Sequence, residues 1–345
     1  MCGGTPLAPP HRRPNMLKAI VLFGLLSITI VACGGASADS LTVYSGRSKT
    51  LVGPIIDQFS QVTDIKVSVK YAGTPQLSAT LLEEGTNSPA DVFFAQDPGG
   101  LGAVESMLTP LSQEILETVP PWAVSPTGRW VGLSGRARTV VYNTRTLKED
   151  DLPGDIFDFI DPRWKGRIGW APTNASFQTM VTAMRSQWGE DKTRTWLEGI
   201  QANDPKEYPK NTPIVAAAGS GEIDVGFVNH YYLHRFLAEE GAGFPARNYH
   251  PRAGGPGALI TVAGAGILEI STRKDAAERF LTFMLSTVAQ QYFASQTFEY
   301  PLVEGVAVPR GLARIDDIKT PPLTAADLTD IKGTLELLRE TGVVP

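Results

Sequence analysis

Short apolar runs and periodic apolar stripes alternate along this chain. Residues 41–44 form a compact apolar run and predict a buried strand, and 51–62 carry helical spacing, with Pro54 tolerated in the first turn. Residues 65–71 alternate, with Val67, Val69 and Tyr71 on one face, which predicts a second strand. A helix over 76–84 stopped by Gly85 and a short strand over 91–95 follow. Strands and helices alternating at this spacing predict an α/β fold with a largely parallel sheet.

Further along, 130–133 and 139–143 read as strands joined by the small, basic connection Ser134-Gly135-Arg136-Ala137-Arg138. A strand over 168–171, helices over 176–188 and 213–217, and a strand over 223–228 come next. Residues 256–268 form a long, glycine-rich strand region. The clearest helix is 274–296, where Ala277, Phe280, Leu281, Met284, Leu285, Val288 and Tyr292 make one core-facing stripe. A terminal helix is predicted over 325–339, with Gly342 as a stop.

At 345 residues the chain is longer than one core usually spans, which argues for two lobes. A net charge of −5 argues against a nucleic-acid partner, which would favour a basic surface. The most apolar stretch, 19–31, is too short to span a membrane comfortably. It follows Arg12, Arg13 and Lys18 and closes on Ala32-Cys33-Gly34, so residues 1–32 read as an export signal. The ending resembles the bacterial lipoprotein signal, in which the cysteine becomes the lipidated first residue, with 33–40 as a tether. An ordinary secretory signal cleaved near Ala38 and a plain anchor helix are the alternatives, and Met16 competes with Met1 as the start. Removing 1–32 takes away those three basic residues and no acid, so the charge falls from −5 to −8.

Enzyme signatures are absent: there is no G-x-S-x-G elbow and no Walker loop. His230 and His234 are four residues apart, a spacing that falls on one helical face, but no zinc-protease glutamate accompanies them. The segment Asp224-Val225-Gly226-Phe227-Val228-Asn229-His230-Tyr231-Tyr232 stands out, because a buried strand delivers polar and phenolic groups at its carboxyl end, where α/β folds bind ligands. Phenolate is a hard anionic oxygen donor suited to Fe³⁺. The turn Pro172-Thr173-Asn174-Ala175-Ser176-Phe177, together with Arg136 and Asn211, suits a small oxyanion such as carbonate or phosphate.

Val43-Tyr44-Ser45-Gly46-Arg47, Pro89-Ala90-Asp91-Val92-Phe93-Phe94, Ser134-Gly135-Arg136-Ala137-Arg138, Trp164-Lys165-Gly166-Arg167 and Asn229-His230-Tyr231-Tyr232 together resemble the bacterial ferric-ion-binding proteins. These are the extracytoplasmic solute-binding components of ABC iron importers. The resemblance implies a type II periplasmic-binding-protein fold: an N-terminal lobe of 41–134 and 260–310, a C-terminal lobe of 135–259, and a helical segment over 311–345. It implies Fe(III) as the transported ligand, held by Tyr231 and Tyr232, with carbonate, phosphate or citrate as a synergistic anion. Asn174, Ala175, Ser176, Asn211, Asn229 and Arg136 would hold the anion. Members with an N-lobe histidine carry it where this chain has Ser48, the N-lobe glutamate of others falls at Gln96, and the third tyrosine of still others is absent near Ala175 or Ser176. Ser48, Gln96 and Tyr142 are the candidates for further ligands. The partners implied are an ABC permease with its ATPase, and the membrane through lipid on Cys33. The protein is expected to be a monomer with no enzymatic activity and no nucleic-acid partner. The alternatives are a same-fold receptor for an organic anion, polyamine or metal chelate, and a secreted metal-dependent hydrolase.

Overall fold

The computed structural model describes residues 40–345; the signal region and Cys33 lie outside the described residues. The strands are β1 (Ser40–Ser45), β2 (Lys66–Tyr71), β3 (Val92–Ala95), β4 (Val131–Asn143), β5 (Ile168–Trp170), β6 (Lys206–Glu207), β7 (Val225–Asn229), β8 (Ala246–Tyr249) and β9 (Ile260–Ile267). The helices are α1 (Lys49–Thr63), α2 (Thr74–Glu84), α3 (Pro98–Ala103), α4 (Gln113–Leu116), α5 (Ala175–Trp188), α6 (Glu190–Ala202), α7 (Asn211–Ser220), α8 (Tyr231–Glu240), α9 (Lys274–Met284), α10 (Thr287–Tyr292) and α11 (Ile331–Glu340). The strands pair in the order β2-β1-β3-β9-β4-β7-β5-β6, with β8 added to β4.

Pairing is parallel where helices connect neighbouring strands, as in β2-β1-β3 and β6-β5-β7. The long strands β4 and β9 pair antiparallel with all their neighbours, so the sheet is mixed rather than largely parallel.

The largest departure from the sequence reading is β4. The two predicted strands and the connection between them are one continuous strand, buried at every position. A register shift between Gly132 and Ser134 absorbs the irregularity that reads as a break. At Gly135 a Cβ would come within 3.0 Å of the Tyr300 Cβ, so glycine there permits close packing rather than a turn. The first half of β4, Val131 to Ala137, pairs with β9, and the second half, from Arg138, pairs with β7 and β8.

Two main cores lie on either side of this crossing. One gathers Val43, Phe59, Phe93, Val131, Ile267 and Phe280, with Phe59 and Phe280 edge to face at 5.2 Å. The other gathers Phe159, Trp164, Trp196 and Phe227, and is joined by Leu337 and Leu338 of α11. A smaller cluster around Ile214, Val215 and Val228 backs α7.

The predicted helix over 274–296 is broken. Ser286 caps a new helix by accepting from the Ala289 N–H, which shifts the phase and leaves Val288 54% exposed, outside the core stripe. The terminal helix starts at Ile331, where Asp330 accepts from Gly333 N–H, and not at 325. Among the described residues no helix is long and apolar enough to cross a membrane.

Candidate metal and anion site

Strand β7 ends at Asn229 and α8 begins at Tyr231, so one residue, His230, turns strand into helix. His230 is fully engaged: its Nδ1 accepts from the Ala137 N–H at 3.1 Å and its Nε2–H donates to the Phe298 carbonyl at 2.8 Å. Burial, then His234 and His250, hold its pKa well below the usual 6.5, so it is a neutral structural imidazole. With both nitrogens occupied it is not a metal ligand, and this takes away the ligand set that the hydrolase alternative needed. Among the described residues no three His, Cys, Asp or Glu side chains could share a metal ion.

The same turn presents Tyr231 and Tyr232 side by side, with ring centroids 4.3 Å apart. Tyr231 is buried and Tyr232 half-buried; both pack against the first core, and Tyr232 also against the smaller cluster around Ile214 and Val215. Burial, and the Tyr231 phenol beside it, raise the Tyr232 pKa well above 10, against the pull of Arg47 and Arg136. In the absence of a bound cation, Tyr232 is therefore a neutral phenol.

Arg136 and Arg138 are two residues apart on β4 and so share a face. Both are buried. Arg136 donates from Nη2 to the Val262 carbonyl at 3.1 Å, while its Nε and Nη1 have no partner. Arg138 donates from Nη1 to Asn229 Oδ1 at 3.0 Å, to Ser176 Oγ at 3.3 Å and to Asn211 Oδ1 at 3.5 Å; its Nε and Nη2 are unpartnered. Burial, then Arg136 alongside, push the Arg138 pKa down to about 9, which still leaves it charged at neutral pH. Asn174 caps α5, accepting from Ser176 N–H at 3.1 Å and from the Asn211 side chain at 3.2 Å. Asn211 in turn accepts from the Asn229 N–H at 3.0 Å. Thus Asn174, Ser176, Asn211 and Asn229 form one network, with Ala175 opening the helix beside them and Arg138 at its centre. The expected anion donor Arg136 is thus joined by Arg138, and the two-residue spacing on one strand is the sequence signal for it.

Gln96, at the end of β3, is 8% exposed with its Nε2 unpartnered. Its neighbour Asp97 caps α3 through Gly100 N–H at 3.1 Å, and burial raises its pKa while Arg136 opposes the rise. Ser48 is exposed at the start of α1, with its hydroxyl 3.3 Å from that of Thr50. Tyr142 packs in the second core, four residues along β4 from Arg138.

A second pair was not foreseen. Arg47, in the turn between β1 and α1, donates from Nη2 to Glu299 Oε1 at 2.5 Å and from Nη1 to the Tyr231 oxygen at 3.3 Å. Both members of the ion pair are shielded from solvent. Removing one partner leaves an uncompensated buried charge, so Glu299→Ala is expected to cost the ligand-free protein about 3–5 kcal/mol. Urea unfolding measures this, and Arg47→Met with Glu299→Leu is expected to recover most of the loss. A Glu299→Ala cost below about 1 kcal/mol would mean that water reaches the pair.

A family model described as bacterial extracellular solute-binding protein matches residues 86–316. The chain is 34% identical over 336 residues to the major ferric iron-binding protein of Neisseria meningitidis, covering 95% of this chain and 100% of that one. Its fold matches iron-bound HitA from Pseudomonas aeruginosa with a TM-score of 0.85 at 33% identity, covering 88% of this chain and 99% of that one. It also matches a Trichodesmium protein in complex with iron and citrate ligands, with a TM-score of 0.74 at 27% identity and the same coverage. The fold is that of the type II periplasmic binding proteins, with two α/β lobes about a hinge and a cleft. The chain belongs to the bacterial extracellular solute-binding proteins, in the group that holds the ferric iron-binding proteins.

Proposed function

We propose that this protein captures Fe(III) outside the cytoplasm, together with a polyanionic co-ligand, and delivers it to an ABC permease and its ATPase. The observation that carries the reading is a pair of adjacent phenols, one of them bonded to the buried Arg47, within electrostatic reach of Arg136 and Arg138, which keep unpartnered N–H groups. In this reading Tyr231 and Tyr232 are the metal donors, and iron displaces their phenolic protons. Arg136 and Arg138, with Asn174, Ala175, Ser176, Asn211 and Asn229, take the anion. The two lobes, 41–134 with 260–310 and 135–259, turn about the β4 and β9 crossing to enclose the cargo. The work is capture and handover rather than turnover. Gln96 is the best placed of the further metal candidates, because it is buried with a free amide, whereas Ser48 is exposed and Tyr142 lies in a core.

The charges also separate carbonate, phosphate or citrate from the other cargoes. Among the described residues Arg47 is paired with Glu299, Asp97 feels Arg136, and Arg138 has no carboxylate within hydrogen-bond reach, so a polyamine would meet like charge where an anionic chelate finds N–H donors. Lipid on Cys33 as the membrane anchor and a monomeric state complete the proposal.

Ferric phenolate complexes absorb in the visible. Purified protein mixed with ferric citrate is expected to turn orange-red, with one iron bound per chain. A colourless protein that citrate alone stabilises would instead identify an organic-anion receptor.

A further inference from the structure

Three distant stretches of chain meet at Arg47. The Gly46-Arg47 turn follows β1, and a Cβ on Gly46 would lie 2.0 Å from the Thr74 hydroxyl, so the turn sits tightly on α2. The backbone N–H of Arg47 is tied to Ser45 Oγ at 3.2 Å, and the same hydroxyl donates to the Arg47 carbonyl at 3.1 Å. Glu299 is fixed as firmly. Its N–H donates to the Phe293 carbonyl, Thr297 Oγ1 donates to its Oε2 at 3.0 Å, and the next residue, Tyr300, pairs with Gly135 of β4. The guanidinium held between them reaches the Tyr231 oxygen at 3.3 Å, at the start of α8, and lies 5.7 Å from the centre of that ring. Glu299, shielded from solvent with it, balances the guanidinium, a group that stays protonated in proteins. It is a permanent cation facing the phenol.

Resting on the iron reading above, we propose that Arg47 is a positioning residue for the metal donor Tyr231. Glu299 aims the guanidinium, and the guanidinium donates an N–H to the phenolate oxygen that binds iron, fixing its direction and moderating its donor strength. A hydrogen bond from the other lobe completes this arrangement only when the cleft is closed, so Arg47 also ties lobe closure to the state of the donor. The pair places a buried cation directly beside a proposed metal donor. Iron in this cleft therefore meets added positive charge, which favours arrival with an anion over arrival as a bare ion.

The test is the energy of the phenolate-to-iron absorption band, which a purely structural residue would not move. A cation hydrogen-bonded to a phenolate lowers the energy of its electrons, so charge transfer to iron then requires more energetic light. In protein loaded from ferric citrate, Arg47→Met is expected to retain the band but shift it to longer wavelength. Arg47→Lys is expected to move it part of the way back, and Glu299→Gln to shift it less than Arg47→Met. The double variant Arg47→Met with Glu299→Leu removes the buried pair as a unit and is expected to show the full shift if the single variant folds poorly. An unshifted band in a folded, iron-loaded Arg47→Met or double variant would overturn the proposal. Absence of any band in the unaltered protein would instead overturn the iron reading on which it rests.

Discussion

Replacing Tyr231 and Tyr232 together with phenylalanine is expected to abolish both the visible band and the stabilisation by ferric citrate, while leaving the ligand-free fold close to intact. The asymmetry follows from what each hydroxyl does. The rings pack on one another at 4.3 Å and against the first core, and phenylalanine keeps that packing. At the Tyr231 oxygen the bond lost is the one from Arg47 at 3.3 Å, a loss of about 1–3 kcal/mol with Glu299 still pairing the cation. Both proposed metal donors, however, are gone. Ligand at a thousandfold excess over its dissociation constant stabilises a protein by about 4 kcal/mol, and that increment should vanish in the double variant. Each single variant should keep a weaker band, because one phenolate remains. A double variant that still colours and is still stabilised by iron would remove Tyr231 and Tyr232 from the site.

The phenols were legible because they are adjacent in the chain and follow a buried strand, so local pattern and local chemistry coincide at one place. The α/β alternation, the first three strands and α5 were legible for the same reason: each is specified by its own periodicity. Where the reading failed, the determinant was distant. In β4, Ser134 and Gly135 resemble a connection because their role is to accept Tyr300 and β9, partners over a hundred residues away. Two buried arginines also look wrong for a strand until their partners are seen: the Val262 carbonyl for Arg136, and Ser176, Asn211 and Asn229 for Arg138. Arg47 and Glu299 are 252 residues apart, and nothing near either one announces the other. The helix over 274–296 failed differently, since Ser286 is one polar residue in an otherwise continuous stripe and its capping outweighs the periodicity around it.

Arg138→Leu is expected to move stability and binding in opposite directions. In the ligand-free protein Arg138 is a buried cation with no carboxylate in hydrogen-bond contact; its Nη1 is shared among Ser176, Asn211 and Asn229, and two of its nitrogens have no partner. Burial of such a charge costs several kcal/mol, and Arg136 on the same face adds repulsion. Leucine removes that cost. It leaves Asn229 Oδ1 without its donor, a loss of about 1–3 kcal/mol, while Asn211 Oδ1 still accepts from the Asn229 N–H. The first effect is the larger, so the ligand-free variant is expected to be more stable than the parent by about 1–3 kcal/mol in urea unfolding. Binding should change the other way, because an anion loses the Nε and Nη2 donors. Charge-assisted hydrogen bonds contribute about 1.5–3 kcal/mol each, so affinity for ferric citrate should fall about tenfold if one weak bond is lost and by as much as about twenty-thousandfold if both are lost at full strength. Lysine at this position keeps the charge without the fork, and should restore neither the network nor the affinity in full. A variant less stable than the parent that binds ferric citrate equally well would assign Arg138 to the scaffold. The opposite pair of changes would mean that the cleft stores, as uncompensated buried charge, the free energy its cargo releases on arrival.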